Sequence, residues 1–200
     1  MGNAHLQPES AWSYESGADW TPNAALQLSV TGFVSPQHNS IDYTRMGPTD
    51  LYHATNLANF RYAGVETAAD WHVSRNDLVR GSYTFVSGAQ SALGNLESAY
   101  VFNFPVHNAS VEWLAWLHAL GLQARTRIGV TRRFDRDAYA VADVAVARSV
   151  GRIQPYVNVT NLANTGYEEI QGVRMQGRAF VGGVALQLSR PKAAGTSLRH

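Results

Sequence analysis

Seven histidines are the residues of this 200-residue chain most able to hold a metal ion, and their spacing argues against it. His38, His53, His72, His107, His118 and His200 are scattered, and His5 lies at the start; no pair has the i, i+4 helical spacing of a zinc-protease site. One loop set, His38, Asp42, Asp50 and His53, offers nitrogen and oxygen ligands within a single segment. Ordinary polar loop residues are the plainer account of it. Glu15, Asp19, Glu66 and Asp70 could face Arg80, Arg125 and Arg127 across an enclosed polar interior. Paired carboxylates can do acid–base work, but ion pairs that satisfy buried charge explain them more simply. Ser87-Gly88 and the other glycine pairs match neither a phosphate loop nor a nucleophile elbow. No catalytic residue, metal or cofactor is therefore expected, and no enzyme.

The elements that carry these residues alternate apolar and polar positions, the pattern of strands whose two faces meet different surroundings. Nine such stretches are predicted: 11–20, 24–35, 60–72, 77–86, 107–118, 122–133, 138–149, 152–160 and 178–188. Most have the roughly 9–11 residues that a tilted strand needs to cross a bilayer. Connections after the first, third, fifth and seventh are short: Thr21-Pro22-Asn23, Ser74-Arg75-Asn76, a Gly121 turn and Val150-Gly151. Those after the second, fourth and eighth are long, 36–59, 87–106 and 161–177, while the sixth, Phe134-Asp135-Arg136-Asp137, is short. Tight turns at one end and long loops at the other suit an outer-membrane β-barrel.

The two faces differ consistently. Trp12, Tyr14, Ala18 and Trp20 share one parity against Ser13, Glu15, Gly17 and Asp19; Val79, Tyr83 and Phe85 oppose Arg80, Ser82 and Thr84. Charges on the apolar parity, Asp77, Arg132, Arg148 and Arg178, fall at strand ends. A lipid-facing Arg or Lys costs roughly 2–4 kcal/mol at the bilayer midplane and about 0–1 near the interface, and the placement follows that gradient. A soluble sandwich would expose a Lys-rich polar face. This chain has one lysine, Lys192, beyond the last strand.

Composition narrows the alternatives. Net charge near +1 gives no global electrostatic case for nucleic acid. The absence of cysteine removes disulfides and thiolate sites. No apolar run reaches the length of a transmembrane helix. The opening Met1-Gly2-Asn3-Ala4-His5 does not read as a signal peptide, so a fragment of a longer chain or a truncated product is expected.

Several motifs resemble the C-terminal barrel portion of TonB-dependent outer-membrane receptors. Leu6-Gln7-Pro8-Glu9-Ser10 with Tyr14-Glu15-Ser16-Gly17 is similar to the family's entry into a late strand. Ile41-Asp42-Tyr43, Asn56-Leu57-Ala58-Asn59 and Gly64-Val65-Glu66 resemble a segment ending in "G-x-E". The most specific stretch is Pro155-Tyr156-Val157-Asn158-Val159-Thr160-Asn161-Leu162, then Tyr167-Glu168-Glu169, Gly172-Val173 and Gly177-Arg178-Ala179-Phe180. It is similar to the family's last two strands and the loop between them, with a lean towards the cobalamin-receptor-like branch.

The resemblance implies an all-β fold, an antiparallel transmembrane barrel segment of about nine strands from a 22-stranded receptor type. Residues 1–190 would be barrel and 191–200 a flexible basic tail. It implies a Gram-negative outer-membrane location and uptake of a scarce small molecule such as cobalamin or an iron–siderophore complex. Partners would be outer-membrane lipid, the ligand, and TonB acting through a plug domain absent from this chain; nucleic acid is not among them. By analogy, ligand contacts come from 36–59, 87–106 and 161–177, with Tyr43, Tyr52, His53 and Tyr100 as candidates because aromatic tips suit binding loops. Asn161 and Asn164 suit a strand exit by bonding local backbone. Gly177 would permit a tight re-entry, and Gly182-Gly183 close approach to the last strand. A non-transporting adhesion or structural barrel, including a smaller one formed by several copies, is the alternative; a soluble β-domain hydrolase would need the catalytic motif that is missing.

Overall fold

All nine stretches of alternation are strands in the computed structural model, which describes residues 2–57, 59–88, 95–101, 103–170 and 172–188. In chain order the elements are β1 (Ser10–Ala11), β2 (Tyr14–Asn23), β3 (Leu26–His38), β4 (Ile41–Arg45), β5 (His53–Asn56), β6 (Phe60–His72), β7 (Asp77–Gly88) and β8 (Glu97–Ser98). There follow β9 (Pro105–Leu117), β10 (Leu122–Arg133), β11 (Tyr139–Arg148), β12 (Ile153–Thr160), β13 (Glu168–Ile170), β14 (Val173–Arg174) and β15 (Ala179–Leu186). The long strands form one antiparallel meander, β2-β3-β6-β7-β9-β10-β11-β12-β15, in which each pairs with the next. The sheet is open, as expected for part of a barrel. The expected tail at 191–200 lies outside the described residues.

Two details differ from expectation, and proline explains both. The first strand is split, because Trp12 lies opposite Pro36, which has no N–H to give. The register nevertheless runs straight on from Ala11↔Gln37 to Tyr14↔Val34, with Trp12 N–H donating to Pro36 O at 3.2 Å. The first turn is not Thr21-Pro22-Asn23. Those residues lie in β2 at a register shift that takes up Pro22, and the turn falls at Ala24-Ala25, where Asn23 Oδ1 accepts the Ala25 N–H at 2.9 Å.

Register decides how the faces line up, and it keeps them apart. Ala18↔Val30, Gly81↔Val111, Val111↔Ile128 and Val144↔Val159 lie on the apolar face. Trp71, Val79 and Trp113 stand side by side near the short-turn end, and Trp12 and Tyr14 near the other, in the manner of interfacial girdles. Val30, Val111, Ile128 and Leu186 are exposed, and the buried apolar side chains among the described residues are few: Ala54, Leu57, Phe60 and Ala115. Leu57 and Phe60 sit at the long-loop end, packed by Tyr62, Val101, Phe104 and Phe134. A sheet this apolar outside and this thinly cored is made for hydrocarbon, not for a packed soluble interior.

Candidate functional site

The described parts of the long connections are ordered into small sheets. β4 and β5 from the first loop pair with β8 from the second in a separate sheet, β5-β4-β8. Its centre is Asp42, which is 1% exposed. Oδ1 accepts the Tyr43 N–H at 2.7 Å and the Tyr100 N–H at 3.2 Å; Oδ2 accepts the Val101 N–H at 3.2 Å and the Ser98 hydroxyl. Alternation along β4 buries Asp42 and Thr44 and turns Tyr43 outward, where it meets Tyr100 edge-on with centroids 6.3 Å apart.

Two of the four candidate contacts are thus brought together, Tyr43 at 43% and Tyr100 at 63% exposure. The others are not part of that pair. Tyr52 lies under the Arg45 guanidinium, 4.8 Å from the ring centroid, and His53 is exposed opposite Thr44. Arg45 also binds Glu97 at 2.7 Å, and that hydrogen bond holds its guanidinium pKa above the ordinary value. Among the described residues no three His, Asp or Glu side chains converge as a metal site would need, so the His38, Asp42, Asp50 and His53 set is not assembled.

Asn56 ties the first loop to the N-terminal segment: its amide gives to Gln7 O at 3.0 Å and Asn39 O at 2.7 Å, and its oxygen accepts the Gln7 N–H at 2.8 Å. The second loop is tied to the wall by Tyr62, whose hydroxyl donates to Val101 O. It reaches the third loop through Asn103 Nδ2, which donates to Glu169 O at 2.8 Å. Below these ties lies a cleft of about 990 Å³, lined by Phe104, Arg133, Phe134, Arg136 and Glu168 among others. Arg133 donates to Asn103 O at 2.8 Å, and Arg136 approaches Glu168 at 3.5 Å. Phe104 and Glu168 fall within the expected contact loops 87–106 and 161–177, whereas Arg133, Phe134 and Arg136 lie at the end of β10 and in the turn after it, outside them.

The third loop hangs on Asn161, which adopts φ 49° and is 3% exposed. Its amide donates to Thr165 O at 2.9 Å and Gln176 O at 3.3 Å, its oxygen accepts the Thr165 N–H at 2.8 Å, and its own N–H donates to Asp143 at 2.9 Å. Asn164, at φ 55°, accepts the Arg178 N–H at 2.9 Å. A Cβ at Gly177 would stand 2.7 Å from that same Asn164 oxygen, so a larger residue there would have to displace it from the Arg178 N–H. Asn161 thus bonds local backbone as the motif suggested, whereas the Asn164 oxygen reaches across the loop to the Arg178 N–H, and Gly177 leaves it room. The Tyr167 ring stacks on Tyr139 at 4.7 Å, and burial, with Glu169 adding to it, raises its phenol pKa.

On the polar face, register builds a row of alternating charge across five strands: Asp70, Arg80, Glu112, Arg127 and Asp143. Arg80 lies 3.5 Å from Asp70 and 3.9 Å from Glu112, and Glu112 also takes the Arg125 Nε–H. The expected ion pairs are present for Asp70 with Arg80, while Glu112, left out of the expected set, is the shared carboxylate. Glu15 instead accepts the Ser13 hydroxyl at 2.9 Å, and Asp19 and Glu66 take no part in the ion pairs found among the described residues. The polar face thus carries both signs of charge, paired in part across neighbouring strands.

A family model described as "TonB dependent receptor-like, beta-barrel" matches residues 1–179. The fold is similar to the copper transporter OprC, with a TM-score of 0.73 at 18% identity, covering 92% of this chain and 33% of that one. It is also similar to the FrpB iron transporter from Neisseria meningitidis, TM-score 0.67 at 12% identity, over 90% of this chain and 31% of that one. The ferripyoverdine receptor of the Pseudomonas aeruginosa outer membrane gives 0.68 at 15%, over 90% and 27%. The chain thus spans about a third or less of each of these structures. Among curated proteins no match was found.

Proposed function

We propose a function from one established premise: this chain belongs to the TonB-dependent receptor β-barrel family. In this reading residues 1–190 are a late part of the barrel of an outer-membrane importer, and the import cycle is completed by a plug and by TonB. The ligand is a scarce small molecule, a cobalamin or an iron–siderophore complex. Its recognition falls to the three connected loops, with Tyr43 and Tyr100 as first contacts and Tyr52 and His53 beside them. The barrel wall performs no reaction. It holds the loops at one end and presents a polar surface to whatever passes within.

One observation carries this reading: the loop sheet β5-β4-β8 and the Asn161 hub stand at the same end of a wall whose apolar rows all face outward. A rigid recognition surface on a lipid-facing scaffold is the division of labour that uptake needs. The neighbouring structures' named cargoes are copper, iron and ferripyoverdine, which supports a metal complex as the first ligand to test. The test is uptake of labelled cyanocobalamin and of ferric siderophores by a receptor-null strain expressing the complete gene, with and without TonB. TonB-dependent accumulation of one of them is expected, and residues 1–200 alone should give none. Uptake that ignores TonB, or its absence for every complex tried, would remove the importer reading.

A further inference from the structure

We propose that Asp42 is a positioning residue, a latch that joins β4 of the first long loop to residues 97–101 of the second as one rigid unit so that Tyr43 and Tyr100 present a single aromatic corner. The functional half of this rests on the importer reading; the mechanical half does not. Asp42 is the second residue of β4, yet three of its four donors, Ser98, Tyr100 and Val101, belong to the second loop. It takes part in none of the ion pairs found among the described residues, so its charge is met by N–H and O–H dipoles alone. An almost fully buried carboxylate is costly unless every lone pair is used, so the two loops can separate only by abandoning it. Around it, Ala99 N–H donates to Tyr43 O at 2.9 Å and Thr44 pairs with Ser98, which fixes the two tyrosines on the outer side of the same junction.

The substitutions are graded by this geometry. Ser98→Ala removes one donor and leaves three. Asp42→Asn keeps one accepting oxygen but sets an N–H₂ against the Val101 N–H. Asp42→Ala removes the carboxylate that all four donors share.

Residues 1–200 contain no cysteine, so spin labels at Met46→Cys and Asn95→Cys, with any cysteine outside these residues replaced by serine, report the distance between the loops. In the full chain as the cell produces it, purified in detergent, the wild type should give one narrow distance. Loss of that component should grow from Ser98→Ala through Asp42→Asn to Asp42→Ala. In a label-free Asp42→Ala chain, a disulfide between Thr44→Cys and Ser98→Cys, opposed across β4 and β8, should restore the resistance of residues 95–101 to proteolysis. A wild type that is already broad, or an Asp42→Ala as narrow as wild type, overturns the latch.

The functional half is read by quenching of intrinsic fluorescence with cyanocobalamin and with ferric enterobactin. If the unlatched loops spend a tenth of their time joined, the apparent Kd rises about tenfold, and the disulfide recovers it. Affinity unchanged by Asp42→Ala while the distance broadens overturns the positioning role. Wild type that binds neither probe counts against the importer reading and against any role of Asp42 in capturing these ligands, with the distances still deciding the latch. Where Asp42→Ala fails to fold, shown by lost heat-modifiable migration, Ser98→Ala and Asp42→Asn decide both halves by the same distances and affinities.

Discussion

The ring of Tyr156 on β12 lies across Gly183, its cross-strand neighbour on β15, so that a Cβ on the glycine would stand 2.5 Å from the Tyr156 hydroxyl oxygen and 2.6 Å from Cζ. The aromatic covers backbone that a glycine leaves bare, a cross-strand arrangement that pins register in the last strand pair. Gly183→Ala is expected to cost about 1–3 kcal/mol, read as a shifted urea midpoint in detergent. In a Tyr156→Ala background the same change should cost much less. Equal costs in both backgrounds would clear the ring of blame.

Glu112 is the carboxylate shared by Arg80 and Arg125, and its own side chain is 13% exposed while both arginines are more than half exposed. Screening by water limits what such a cluster contributes, so Glu112→Gln should destabilise by only about 0.5–1 kcal/mol. In 1 M salt, where the Debye length is about 3 Å, most of that difference should vanish. A loss that persists at high salt would mean that packing, not charge, is the role of Glu112.

Val111 and Ser110 are adjacent on β9 and lie on opposite faces. An arginine at Val111, facing hydrocarbon, should cost roughly 2–4 kcal/mol of stability in a bilayer, and one at Ser110 less than about 1. Folding titrations in lipid vesicles measure both. Reversed costs would place lipid on the wrong side of the sheet and take the membrane reading with it.

Asn161 holds the third loop through three side-chain bonds and sits at a positive φ. Asn161→Ala should cost about 1–3 kcal/mol locally and open residues 162–170 to proteolysis. Asn161→Gly relieves the backbone but not the lost bonds, so it should protect the loop only in part. Full protection in Asn161→Gly would make the dihedral the whole story.

The Tyr167 phenol carries a pH prediction. Its pKa in the folded chain is raised above the ordinary 10.0, chiefly by burial, so the fold prefers the neutral form. Stabilisation of the third loop from this source is fully present below pH 10.0 and is lost as pH rises through the folded value. Tyr167→Phe should abolish that alkaline loosening, followed by loop proteolysis at graded pH. Loosening that survives in Tyr167→Phe would belong to another group.

What the sequence determined by itself was everything that depends on period. Alternation is written into each stretch separately, so the strands, their two faces, the turns at Gly121 and Gly151, and the Asn161 and Gly177 exits could be read along one line of residues. Even there Pro22 and Pro36 moved a boundary, because their missing N–H matters only once a partner strand lies alongside.

What only the tertiary structure decided was who meets whom. Glu112 joined the charge row and Glu66 did not, since ion pairs depend on register between strands, which no single strand encodes. Asp42 finds Ser98 across 56 positions of sequence, and that contact unites Tyr43 with Tyr100 while Tyr52 is held beneath Arg45. Loop conformation is set by such distant hydrogen bonds. Periodicity therefore located the loops in the sequence, and only folding turned them into a surface.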